Sequence, residues 1–142
     1  MKNTGLMMLL FCLFLFQSCK RCFEPIDYGK EACAHCKMTI VDKRYAAEMV
    51  DEKCKVFKFD DIACMKQYLQ EHNLKVSDYM FLVANYNEPG GDFLDAQKAV
   101  ILHNGFFKTP MNGQCGAFIS EKDALPLKDS LKAEFISWDK VQ

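Results

Sequence analysis

Cys33-Ala34-His35-Cys36-Lys37-Met38 puts two thiols and a thioether into one short stretch. Two cysteines three apart in a turn can aim both sulfurs at one ion, which is why the C-x-x-C spacing recurs in metal knuckles. It recurs too in thiol–disulfide enzymes, where the first cysteine opens a helix after a buried strand. Here a polar segment precedes it, and Met38-Thr39-Ile40-Val41 reads as a strand, so the oxidoreductase context is missing. Met38 sharpens the chemistry. A thioether is a poor ligand for hard ions and a good one for Cu(I). A methionine at the start of a strand can equally be core packing.

Thr109-Pro110-Met111-Asn112-Gly113-Gln114-Cys115-Gly116 carries a second candidate. Proline, asparagine and glycine make this a loop, and Met111 in it is either a further soft donor or a side chain folded back on the core. His35 could add an imidazole. Cys64 falls in the first turn of an expected helix, where the macrodipole favours a thiolate. Asp60-Asp61 just before it could ligate or orient a ligand, Asp61 being the carboxylate put forward as a possible ligand, or the pair could simply cap the helix. The metal set is therefore Cys33, Cys36, Met38 and Met111, with His35, Cys64 and Asp61 as possible additions. A zinc knuckle built from Cys33, Cys36, Cys64 and Cys54 competes with it. So does a Cys54–Cys64 disulfide in a stapled adaptor without metal. No Ser-His-Asp order, phosphate loop or H-E-x-x-H occurs, and nothing else in the residues points to an enzyme.

The chain must hold these groups outside the cytoplasm. Leu6 to Phe16 is almost wholly apolar after a mildly positive start. At ~1.5 Å per residue it covers about half of a ~30 Å hydrocarbon core, which suits a signal peptide rather than a span. Ser18-Cys19 at its end resembles a lipobox, so residues 1–18 are expected to be removed and Cys19 acylated, which anchors the protein firmly. Residues 19–31, broken by Pro25 and Gly29, read as a flexible tether. A net charge of −1 without a basic stripe gives nucleic-acid binding no support. Eight cysteines in 142 residues call for disulfides, a metal site or both.

Period-two and period-3.6 patterns supply the positioning elements. Strands are expected over 39–41 and 45–50, joined as a hairpin by Asp42-Lys43-Arg44. Another follows over 55–59, then a helix capped by Asp60 or Asp61 and running to about His72, and a strand over 80–86. After the turn at 87–92 come strands over 99–102 and 116–119, a helix from Ser120 toward Leu131 and a closing strand over 135–138. His72 and His103 read as solvated helix-end and turn residues. A strand-strand-helix-strand order thus occurs twice, over 32–88 and 89–142. Each half alone would be marginal in size. The expected class is α+β, with two ββαβ units sharing one core after the signal peptide and tether.

The string Glu31 to Glu48 (EACAHCKMTIVDKRYAAE) resembles the signature of the NosL copper-chaperone lipoproteins. So do Phe59-Asp60-Asp61-Ile62-Ala63-Cys64-Met65, Asp95-Ala96 with Ala99, and Pro110-Met111 with Ala117-Phe118. The resemblance spans the chain after the tether and implies a periplasm-facing Cu(I) carrier anchored in the outer or inner membrane. Its implied role is copper delivery to nitrous oxide reductase and the maturation machinery of that enzyme in denitrification. It also implies a duplicated strand-strand-helix-strand fold, related in shape to organomercurial lyase. Cys33, Cys36 and Met38 match the family's cysteine–methionine motif, and Met111 matches its later Pro-Met loop. Asn112 replaces a common glycine, Asn85 a frequent aspartate, and Cys22, Cys54 and Cys115 are additional to the common pattern.

Overall fold

The computed structural model describes residues 22–141. The expected signal peptide and Cys19 lie outside the described residues. Among those described, no helix is long and apolar enough to cross a membrane. Two helices and two antiparallel sheets make up the mixed α+β fold.

The first sheet holds β1 (Ala47–Asp51), β2 (Val56–Phe59), β3 (Tyr79–Val83) and the short β4 (Leu94–Asp95), in the order β2-β1-β3-β4. The second holds β5 (Val100–His103), β6 (Cys115–Phe118) and β7 (Glu134–Ile136), in the order β6-β5-β7. Helix α1 (Ile62–Glu71) lies between β2 and β3, and α2 (Glu121–Leu131) between β6 and β7. Strand-strand-helix-strand therefore runs twice, and in both runs the first strand is central, flanked by the second and third. β4 follows the turn at 87–92 and pairs back onto β3 of the first sheet, Val83 opposite Leu94.

Local chemistry explains the elements. Val56-Phe57-Lys58-Phe59 alternates, and its two phenylalanines face α1, where Phe57 meets Tyr68 in a tilted contact and Phe59 meets it edge-on (ring centroids 5.6 and 5.4 Å apart). Helix α1 starts where Asp61 accepts the Cys64 N–H at 2.7 Å, and α2 starts where Ser120 accepts the Asp123 N–H. Helix α2 runs through Pro126 and ends at Lys132, whose φ of 54° is left-handed. Ile62, Met65 and Leu69 of α1 join Met49, Phe59 and Phe81 of the first sheet in one apolar cluster with Ile101, Ala117, Trp138 and Val141 of the second half. The Phe81 and Trp138 rings stand 5.4 Å apart across this seam. The two halves thus share a core, and a smaller cluster of Leu102, Phe107, Phe118 and Ala124 lies under α2.

The expected hairpin at 39–50 is not formed. Thr39 makes only an isolated bridge to Ala32, and Val41 is exposed. The segment instead closes on itself, with Gly29 N–H donating to Ile40 O and Ile40 N–H to Glu31 O. Asp42 is engaged locally by the Arg44 N–H and guanidinium. The hairpin is β1–β2, turned at Cys54 (φ 64°), where the Asp51 carboxylate accepts the N–H groups of Lys53 and Lys55. The short-range β-branched run at 39–41 was outcompeted by a tight loop that presents cysteines.

Cys54 is neither a partner of Cys64 nor a metal ligand: it forms a disulfide with Cys22. The described part of the expected tether is fastened to the first sheet. Ile26 is buried in the core, and Lys58 Nζ donates to Pro25 O at 3.0 Å and to the Glu31 carboxylate at 2.8 Å.

Candidate metal centre

The loop Cys33–Met38 is a knuckle. Cys33 N–H donates to Met38 O at 2.8 Å and Lys37 N–H to Cys33 O at 3.1 Å, with Lys37 in the left-handed region (φ 67°). Ala34 N–H donates to Lys58 O at 2.7 Å, which moors the knuckle along the edge of β2. β2 then ends in Phe59-Asp60, and Cys64 sits in the first turn of α1. Three separate stretches therefore deliver their side chains to one point. The sulfurs of Cys33, Cys36 and Cys64 and a carboxylate oxygen of Asp60 all lie within 4.8 Å of one another.

Cys33, Cys64 and Asp60 are buried, and Cys36 is half-buried. The Cys36 thiol donates to Asp60 Oδ2 at 3.1 Å, while Asp60 Oδ1 is buried without a partner. The Cys64 thiol donates to the Cys33 sulfur, and the backbone N–H groups of Asp60, Cys36 and His35 add to this, so Cys33 is lowered to about 6 against the cost of its burial. Burial, with Asp60 and Cys33 alongside, pushes Cys36 up to about 11. Cys64 is raised as well, because its proton is held by Cys33 and it too is buried. Cys33 is thus the readiest of the three to ionise, and Cys36 and Cys64 hold their protons until an incoming cation displaces them. The N-terminus of α1, free of acidic side chains in its first turn, adds a positive partial charge beside it.

The sequence candidates divide. Cys33, Cys36 and Cys64 come together. His35 does not join them: its Nε2 is 3.0 Å from Gln67 Oε1 and its Nδ1 3.3 Å from Glu71, so both nitrogens are taken up by α1. Asp61 is not in the cluster either. It is the cap of α1, fully buried, and its second oxygen accepts the Met111 N–H at 3.0 Å. The neighbouring Asp60 is the carboxylate that faces the sulfurs. Cap spacing could have separated the two, since Asp61 stands three residues before Cys64 and a cap spends its oxygens on the helix.

Met38 lies on the surface beside the knuckle, 45% exposed. Met111 is half-buried against the core, its loop docked on the first turn of α1. That docking needs glycine at 113, because a Cβ there would lie 2.6 Å from Ala63 Cβ. Asn112 and Gln114 flank it with φ of 60° and 52°. Cys115 makes no part of the centre: its thiol donates to Gly113 O, and burial raises it to about 12.

Fold and site together define a duplicated α+β protein with a sulfur-rich pocket able to hold a metal ion. The NosL family model matches residues 26–142, and the chain belongs to the NosL family. A solved structure with the same fold is that of the copper chaperone NosL from Shewanella denitrificans, with a TM-score of 0.68 and 18% sequence identity, covering 84% of this chain and 95% of that one. No curated protein matches the chain significantly.

Proposed function

We propose that this protein is a Cu(I) metallochaperone, anchored to a membrane through Cys19 and facing the periplasm, that hands copper to nitrous oxide reductase or its maturation machinery. The observation that carries the reading is the convergence of three cysteine sulfurs at the helix N-terminus, open to the surface at Cys36. Soft thiolates select a soft monovalent ion, and the exposed thioether of Met38 next to Cys36 provides a first soft contact. Met111, whose N–H donates to Asp61 and whose loop docks on the helix start, is a further soft donor of this reading. Family membership and the copper chaperone of the same fold support the reading.

The transfer step follows from the proton inventory. As copper arrives, Cys33 is the thiol most ready to ionise, and Cys36, hydrogen-bonded to Asp60 at 3.1 Å, gives up its proton as its sulfur binds. Release reverses this: an acceptor's sulfur enters on the open side while Cys36, the least buried of the three, leaves the metal and regains its proton.

Asp60 gives a second reading its one specific support, because a hard oxygen beside three thiolates also suits a structural Cys₃Asp zinc site. A thiol count and a metal analysis on one anaerobically purified sample separate the two. The chaperone reading expects the described domain to show Cys33, Cys36, Cys64 and Cys115 as free thiols, to contain less than stoichiometric zinc, and to take up one Cu(I). Stoichiometric zinc whose removal unfolds the protein overturns it.

A further inference from the structure

We propose that the protein lies on the lipid bilayer through the face of the first sheet turned away from α1, with Phe23, Met80, Leu82 and Phe93 as the contact. This rests on the proposed acylation of Cys19. Between Cys19 and Cys22 stand only Lys20 and Arg21. Cys22 is bonded to Cys54 in the β1–β2 turn, and residues 22–31 are strapped along the sheet. At ~3.3–3.6 Å per residue, the link from the acylated cysteine to the folded body reaches at most about 10 Å. A body held that close cannot swing free, and the surface around the disulfide has to meet the headgroups.

The chemistry of that surface suits lipid. The Phe23 and Phe93 rings are 5.5 Å apart and, with Met80, Leu82 and Asp92, line a cavity of about 520 Å³. Phe23 is 40% and Met80 46% exposed, and no element of the described chain covers them. Met80 stands opposite Val50 in the register and Leu82 opposite Glu48, so both belong to the face that carries Lys58 and its contacts to the strap. Lys20 and Arg21 in the link and the exposed Lys53 beside Cys54 complement anionic headgroups. Helix α1, with the cysteine cluster at its start, packs on the opposite face against Phe57, Phe59 and Phe81. The metal centre is then turned toward the aqueous side, where a partner can reach it.

Met38 and Met80 have almost the same exposure, 45% and 46%, and act as an internal pair. The test uses the full, metal-free chain with its native lipid in vesicles of phosphatidylcholine and phosphatidylglycerol, exposed briefly to hydrogen peroxide and mapped by mass spectrometry. Met80 is expected to oxidise several-fold more slowly than Met38. Opening the disulfide with Cys54→Ser lengthens the link and is expected to bring the two rates together. Equal rates in a sample whose intact mass carries acylated Cys19 overturn the orientation while leaving the anchor standing. An intact mass without lipid removes the anchor and the surface with it. A slow Met80 in a chain that retains residues 1–18 assigns the groove to the chain's own apolar segment and overturns it as well.

Discussion

Replacing Cys33 and Cys36 together by serine is expected to abolish Cu(I) binding by the reduced protein and to remove the ultraviolet thiolate-to-copper band. Serine keeps size and polarity but offers a hard, protonated oxygen where a soft thiolate is needed. Cys33 is the thiol lowered to about 6, so its loss removes the charge already in place, and Cys36 is the ligand at the open side. Asp60→Asn, in contrast, leaves three sulfurs and removes the carboxylate that accepts the Cys36 hydrogen bond. Its cost is set by loss of an orienting partner, roughly 10–100-fold in affinity. The expected order in a competition titration is therefore wild type, Asp60→Asn, then the double serine variant without measurable binding. Copper affinity should also rise with pH from below 6, because protons on Cys33 compete with the metal there and those on Cys36 are displaced at any neutral pH. Copper binding unchanged in the double variant would remove the cluster from the account.

The largest stability effect is expected at Glu48. This residue sits in β1, fully buried, with both carboxylate oxygens without a hydrogen-bond partner. Burial raises it to about 7; Lys58 on β2 opposes the shift, and Glu24 and Glu31 on the strap reinforce it. A carboxyl whose folded pKa exceeds its unfolded value of 4.5 stabilises the fold fully below pH 4.5, and that contribution is lost as pH rises through 7. At about 1.4 kcal/mol per unit, the loss is on the order of 3 kcal/mol between those limits. Glu48→Gln cannot ionise. It is expected to behave like wild type near pH 4.5 and to be the more stable protein at pH 8, by somewhat less than that figure because a buried amide still lacks partners. Urea midpoints for both proteins at pH 5 and pH 8 measure this, and the difference between the proteins cancels every other titrating group. A variant that keeps the wild-type pH slope would show that Glu48 is hydrated.

How much of this was readable beforehand follows the range of the interactions. The alternation of Lys55 to Phe59, a cap at Asp60 or Asp61 and the apolar face of α1 are local patterns, and with their counterparts in the second half they mark the strand-strand-helix-strand order twice. Cys33 and Cys36 as a pair that could hold a metal were visible in the same way, as was Cys64 in the first turn of α1. Pairings across the fold were not. The strand propensity of 39–41 lost to a loop closed by the Glu31 and Ile40 backbones, which moved the hairpin to β1–β2. Cys54 met Cys22, thirty-two positions away, and not its nearer neighbour Cys64. Glu48 looks like a solvent-facing charge in an alternating strand until the strap from 22 to 31 is laid over it. Asp60 and Asp61 are the same residue type side by side, and only the cap spacing of Asp61 to Cys64 tells the helix cap from the carboxylate that faces the sulfurs.

Copper K-edge X-ray absorption on the Cu(I)-loaded reduced protein tests the central claim most directly. The account predicts a first shell composed of sulfur alone, with a threefold or lower coordination number, and its collapse in the double serine variant. A shell containing imidazole nitrogen, which would require His35 to abandon Gln67 and Glu71, or one dominated by oxygen, would contradict it.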